Sequence, residues 1–372
     1  MGDEHANDGG FPELQIVSIM SVPPLKVTEP RRIRQVLFSD PSSEAKNIHG
    51  CYQICLYYEK LSEEEHDDDD KHLAGWIVES LGKALLEHPL LAGRLHRREG
   101  DDFEIVSNDS GVRLLEAVYP ITLSEFLELN EMENHEAELV FWKEIDNQFP
   151  QFSPLFYVQV TNFRRGGYAI GICCSLLLAE VFIADNFLEK WAQIHNKQLL
   201  SQNEGNHQVP IFGHLHVKNP DPFPSHMISR TLTTNEVESF VFKITTTTTE
   251  DVDFNEGMLK ELAMLCVEDS EEKLHRKMGS GFSLLVKEST EEVIKVESCS
   301  KEVQGMKLKN QVTCTAWKDF GGYEVAFEEG NMPVRVSWWI GSVADGHVMA
   351  LPCPKENVSA VIVVSPPLEA QL

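Results

Sequence analysis

Basic residues are what this sequence has least of. Lys and Arg total 32 against 59 Asp and Glu, a formal charge of −27 at pH 7. Phosphate backbones and anionic membranes need clustered cations, so nucleic acid is excluded as a partner class. An anionic ligand such as acyl-CoA would need a local basic pocket to overcome the global field. The 8 cysteines include no Cys-x-x-Cys pair, which argues against a structural zinc site. His214 and His216 stand two apart without a third ligand signal, so no metal is expected. No glycine-rich phosphate loop, Ser-centred elbow or nucleotide fingerprint occurs. The apolar runs are too short and interrupted to span a membrane, so no transmembrane segment is expected. The opening MGDEHANDGGFPE reads as a disordered acidic arm and not as a secretory signal. The cysteines lie mostly in apolar, strand-like runs, as small core residues do in a reducing compartment, so a cytoplasmic location is the expectation.

What is present is ordinary globular material. The chain has 372 residues, 42% hydrophobic and 24% charged, enough for two domains or one large one. Much of the acidic excess sits in runs at 63–65, 67–70, 268–272 and 328–329, which read as solvated loops or helix faces. Alternation and β-rich composition predict strands at 14–22, 49–59, 103–106, 112–117, 155–163, 168–175 and 238–245. Further strands are expected at 282–286, 292–296, 312–317, 324–327, 334–340, 347–351 and 359–365, those from 312 to 351 spaced like a meander. Asp345-Gly346 reads as a hairpin turn between two of them. Helical spacing covers 72–88, 121–130, 256–267 and a helix from 180 or 181 to 195 with Phe182, Phe187, Leu188 and Trp191 inward. Residues 28–47 read as loop and short turns, and the polar stretch 196–229 as a crossover. The predicted class is α/β with antiparallel signals in both halves: a unit over 1–195, the crossover, and a shortened unit over 230–372.

The chain is organised around residues 166–192, GGYAIGICCSLLLAEVFIADNFLEKWA, a buried strand, a tight turn and a helix. LLEHPLLAGRL (85–95), NDSGVRLLEA (108–117), FSPLFYVQVTNFRRGGYAIGI (152–172), FLEKWAQI (187–194) and VAFEEGNMPVRVSWW (325–339) accompany it. In order and spacing these pieces resemble the plant BAHD acyltransferase family. The resemblance is strong from 72 to 195, patchy from 230 to 310, and recovers after 311. It implies two chloramphenicol-acetyltransferase-like domains with mixed, largely antiparallel sheets and flanking helices, the second domain shortened. The family uses a His-x-x-x-Asp motif whose histidine takes a proton from the acceptor hydroxyl or amine. Its aspartate pairs with an arginine and orients structure. Register puts the histidine on Leu176 and the aspartate on Glu180. The second signature, Asp-Phe-Gly-Trp-Gly, falls on Ala326-Phe327-Glu328-Glu329-Gly330 and keeps only the Phe and the last Gly.

Leucine carries no ionisable group, so the usual base is absent and no catalytic residue is assigned. Leu176, Leu177 and Leu178 read either as a plug in the former tunnel or as an apolar channel for an acyl chain. Cys173, Cys174, Ser175 and Leu177 are the pocket-lining candidates, one of the two cysteines facing the pocket by alternation. A nucleophilic cysteine would need a base and a lowered pKa. Glu180 reads as a helix-start charge or an arginine's partner.

Within the family the sequence is most similar to the Eceriferum/Glossy branch. That resemblance implies an accessory role in very-long-chain fatty-acid elongation and cuticular wax formation, beside a condensing enzyme and without cofactor. Acyl-CoA or an acyl chain is the implied ligand, and the surface of the endoplasmic reticulum or the nucleus an alternative location. The other readings are a transferase with a non-standard base and a pocket turned to lyase-type chemistry.

Overall fold

In a computed structural model, residues 13–39, 48–60, 73–98, 102–130, 132–203, 239–246, 254–274, 281–287, 292–300, 312–316, 322–341, 346–353 and 358–367 are described. The arm at 1–12, most of the crossover with His214 and His216, and the acidic run at 63–70 lie outside them.

The strands sort by burial. Those that read as continuous apolar runs form the centre of a six-stranded sheet: β3 (Cys51–Tyr58), β7 (Phe156–Phe163) and β8 (Tyr168–Ser175). β6 (Val112–Tyr119) and β1 (Gln15–Val22) continue it on one side and β13 (Arg335–Gly341) closes the other, in the order β1-β6-β7-β8-β3-β13. The β7–β8 hairpin turns at Arg164–Gly167, where Arg165, Gly166 and Gly167 all have positive φ.

The second sheet has nine strands. Its order is β12 (Val312–Ala316), β9 (Phe240–Thr246), β15 (Ala360–Ser365), β14 (His347–Pro352), β10 (Gly281–Lys287), β11 (Val293–Ser300), β2 (Ile33–Phe38), β5 (Phe103–Val106) and β4 (Arg94–Arg97). Each sheet therefore draws strands from both ends of the chain. The fold is α/β with mixed, largely antiparallel sheets; β6–β7, β10–β14 and β11–β2 are the parallel pairs.

The helices are α1 (Leu73–Ala84), α2 (Leu123–Leu127), α3 (Met132–Glu136), α4 (Glu180–Ile183), α5 (Phe187–Asn203) and α6 (Glu256–Leu274). α1 packs against α5, and Trp191 of α5 donates its indole N–H to Ser80 of α1 at 3.0 Å. Thr122 caps α2 through a reciprocal box with Glu125. One apolar cluster joins the facing sides of both sheets, from Tyr52, Ile54 and Val158 to Leu285, Met349 and Val363. A second lies on the outer side of the six-stranded sheet under α2 and α3, and a third beneath α6.

Four expectations change. Residues 28–47 contain β2, whose alternation is masked because a buried position holds Arg34. The helix expected from 180 to 195 breaks at 184–186, where Asn186 adopts φ 56, and then runs on to Asn203. Residues 324–327 form no strand but lead into a turn. The strands from 312 to 351 are not a meander: β12 pairs with β9, β13 with β3 and β14 with β10 and β15. Asp345 of the expected Asp345-Gly346 turn lies outside the described residues, and β13 and β14 on either side of it belong to different sheets.

β8 is crossed at close range by the segment after α3. A Cβ on Gly171 would sit 1.9 Å from the Leu139 carbonyl oxygen, a backbone atom that cannot swing aside. Gly171→Ala should cost about 3 kcal/mol or more, or abolish folding. Denaturant melts check this; a variant within about 1 kcal/mol of the parent would mean that 137–140 does not run where described.

Candidate functional site

β8 delivers its last residues to the space between the sheets. Leu176 follows Ser175 directly, and its amide donates to the Gly50 carbonyl at 3.0 Å. Leu176–Leu178 form a single 3-10 turn, which Ser175 caps by accepting from the Leu177 amide at 3.4 Å. All three leucines are buried, Leu176 at 1% exposure, within the cluster that holds Tyr52, Phe156 and Phe182. Phe182 stacks on Tyr52 at 6.0 Å and meets Phe156 and Phe187 edge-on at 5.2 and 5.3 Å. Leu176 is thus embedded in aliphatic and aromatic side chains.

Glu180 sits 3% exposed at the start of α4. Its carboxylate accepts from the Arg34 guanidinium of β2, and Lys287 of β10 lies 3.9 Å away. Arg34 also pairs with Glu292 at 3.0 Å and donates to the Leu177 carbonyl at 3.4 Å. Burial pulls the guanidinium pKa down, but Glu180 and Glu292 outweigh it and hold it raised. Arg34 is the site residue that sequence reading missed; the alternation of IRQVLF was the available signal.

The pocket-lining candidates divide. Cys174 faces the leucines, whereas Cys173 points to the opposite side of the sheet, beside Cys51, Cys55 and Trp142. Cys173 therefore does not face the space between the sheets. Burial pushes both thiols well above their usual range, the reverse of what a nucleophile needs. Two imidazoles lie near the motif: His49, which precedes the Gly50 bonded to Leu176, and His88, which packs edge-on to Phe187 at 5.5 Å with Asp185 and Glu180 acting on its charge. Burial nevertheless lowers the His88 pKa, and its Nε2 has no hydrogen-bond partner.

The second signature has become a clasp. The Phe327 ring packs edge-on against Trp191 at 4.8 Å, and also meets His195 and Tyr58. Asn196 donates to the Ala326 carbonyl at 2.6 Å, and Tyr58 to the Val325 carbonyl at 2.7 Å. Residues 328–331 make a turn closed by Asn331 N–H to Glu328 carbonyl at 3.0 Å, with Gly330 at φ 79 in the third position, where a positive φ belongs. Phe327 thus packs the core and Gly330 supplies the turn's positive φ, while the Glu328 carboxylate accepts from Asn331 at 3.4 Å. Glu329 is exposed, and Ala326 and Glu328 are half-buried.

A profile of the Transferase family matches residues 44–274, more than half of the chain. The chain belongs to this family. It is the BAHD family that the motifs resemble, and its curated relatives include ECERIFERUM proteins and acyltransferases. ECERIFERUM 2 of Arabidopsis thaliana is 28% identical over 186 residues, 48% of this chain and 42% of that protein. Taxadien-5-alpha-ol O-acetyltransferase of Taxus chinensis is 30% identical over 146 residues, 39% of this chain and 32% of the enzyme. The chain spans less than half the length of these curated relatives. Among solved structures, vinorine synthase aligns with 96% of this chain and 95% of its own at a TM-score of 0.46 and 13% identity. Among the described residues of this BAHD protein, no helix is long and apolar enough to cross a membrane.

Glu180→Ala should leave Arg34 buried beside a single exposed carboxylate and cost about 3–5 kcal/mol; chemical denaturation reads the loss, and less than about 1 kcal/mol would mean the pair is not formed. Stability should also fall in acid. His195 and His347 are buried, and desolvation lowers each pKa from 6.5 to about 4. Between these values the unfolded chain binds protons that the folded chain does not. The stability is therefore complete above pH 6.5 and declines as pH falls towards 4, by roughly 3 kcal/mol per histidine. Denaturation across that range checks it, with His347→Leu removing its share of the slope.

Proposed function

We propose that this BAHD protein acts without acyl transfer, as an accessory factor in lipid chain elongation. The observation that carries the reading is Leu176: the position of the family's base holds a side chain with no proton to exchange, 1% exposed among leucines and aromatic rings. Proton abstraction from an acceptor requires a basic atom within hydrogen-bond reach of it, and Leu176 offers none. Glu180 is held by Arg34 and so keeps the orienting role that the resemblance implies for its position. The direction of the role, very-long-chain elongation beside a condensing enzyme, is what the resemblance to the Eceriferum/Glossy branch implies, and the similarity to ECERIFERUM 2 supports that resemblance. Acyl-CoA or an acyl chain is the ligand this reading implies, and the cytoplasm or the surface of the endoplasmic reticulum the location.

The second reading is a transferase with a non-standard base, for which His88, packed edge-on against Phe187 at 5.5 Å, is the imidazole to test.

Purified protein offered short- and long-chain acyl-CoA with a panel of alcohols and amines should give no transfer above the buffer rate. Turnover that His88→Ala abolishes would replace the accessory reading with the second one. A parallel titration with the same acyl-CoA species separates retained binding from retained chemistry.

A further inference from the structure

The segment that joins β1 to β2 is pinned along its length. The Leu25 amide donates to the Gly82 carbonyl of α1 at 3.0 Å. Thr28 donates its amide and its hydroxyl to the Asp109 carboxylate at 2.9 and 2.6 Å. Arg32 and Ser107 are joined twice: the Arg32 amide donates to the Ser107 hydroxyl at 2.7 Å, and the Ser107 amide to the Arg32 carbonyl at 3.0 Å. On this held backbone three aliphatic side chains face solvent, Leu25 at 43%, Val27 at 77% and Ile33 at 49% exposure. The cations Lys26, Arg31 and Arg32 stand among them, and all three are exposed.

A chain with 32 cations and 59 carboxylates has acidic partners to spare. Lys83 takes Glu79, Arg98 takes Glu104, Arg164 takes Glu125 and Lys273 takes Asp269. Lys26, Arg31 and Arg32 pair with no carboxylate among the described residues. The acidic groups around them are otherwise engaged. Asp109 is half-buried and turned to Thr28, Glu292 is paired with Arg34, and Glu79, on the helix beneath Leu25, is paired with Lys83. Glu29 is exposed within the segment itself, so 25–33 sets three outward cations against one outward carboxylate.

Held aliphatic side chains in water mark a contact surface. Cations beside them match an anionic bilayer, whose phosphates lie directly above an apolar acyl boundary. Val27 projects too far to need a shaped pocket; it enters a deformable acyl layer as it stands. The total charge of −27 does not oppose this contact. At physiological ionic strength charges more than about 8 Å from a surface are largely screened, so the face that approaches decides, and the acidic remainder turns every other face away.

We propose that the 25–33 segment docks the protein on an anionic phospholipid surface, with Leu25, Val27 and Ile33 at the acyl boundary and Lys26, Arg31 and Arg32 on the headgroup phosphates. The contact gives the membrane-surface location of the accessory reading a physical basis, and rests on that reading for which membrane is met. Vesicle binding is measured without acyl-CoA or acceptor, so its failure is distinct from a failure of the transfer assay.

The probe is the full chain co-sedimented with vesicles of phosphatidylcholine containing about one-quarter phosphatidylserine. It should bind, and binding to phosphatidylcholine alone should be about tenfold weaker or less. Lys26→Glu with Arg31→Glu and Arg32→Glu, and separately Val27→Ser with Ile33→Ser, should each weaken binding to the mixed vesicles by about tenfold. Both variants should keep the parent's circular dichroism, since every altered side chain faces water. Glu29→Lys removes the opposing carboxylate and should strengthen binding, a gain that misfolding cannot imitate. No binding, equal binding to both vesicle types, or binding indifferent to either set of substitutions would overturn the proposal. Binding to a soluble poly-glutamate peptide without binding to vesicles would overturn it in favour of an acidic polypeptide as partner.

Discussion

Arg34 reaches from β2 in the nine-stranded sheet to Glu180 at the end of the β8 segment, and this buried pair sets how the two sheets meet. Charges removed from water repay their desolvation only in good geometry, so such a pair adds little net stability yet penalises any arrangement that separates its members. Leu177 and Glu292 complete the guanidinium's partners. The turn at 176–178 is therefore positioned by the same cation that ties β2 to α4. A carboxylate spent on holding two sheets is a poor candidate for proton transfer, since its lone pairs are already directed at Arg34.

Around that pair the space between the sheets is filled by apolar side chains. Rings run from Trp338 through Tyr52, Phe182 and Phe187 to Trp191, then Phe327 and Tyr58, each within 6.5 Å of the next. This series links the position of the first signature to that of the second. It also explains which residues of the second signature survive. Phe327 joins Trp191 to Tyr58 in the series inside the core, and Gly330 supplies the positive φ of the turn, whereas the replaced positions are half-buried or exposed. Shape has been kept where packing requires it, and the chemical groups have changed where packing does not.

Much of this was legible in the sequence. The β7–β8 hairpin, α1, β5 and the final strand appear within a residue or a few of their expected bounds, because each rests on short-range periodicity and turn chemistry. Leu176 follows a strand end, Glu180 starts a helix and Phe327 lies in the core, as the strand–turn–helix pattern of their segments leads one to expect for the first two. Arg34 was not legible as a site residue, for a buried arginine looks like a surface one until its carboxylate is found 146 positions away. Nor could alternation alone show that Cys174 and not Cys173 faces the leucines, since that depends on which side the second sheet covers.

The sequence by itself determined the local elements, the family and a leucine run at 176–178 with no ionisable group, all properties of neighbouring residues or of their order. Only the tertiary structure decided sheet membership: β13 leaves its chain neighbours for β3, and β2 pairs with β11 from the far half. The reason is physical. Strand periodicity specifies which face of a strand is apolar, but edge hydrogen bonds are alike in every strand, so the partner is chosen by packing summed over the whole core.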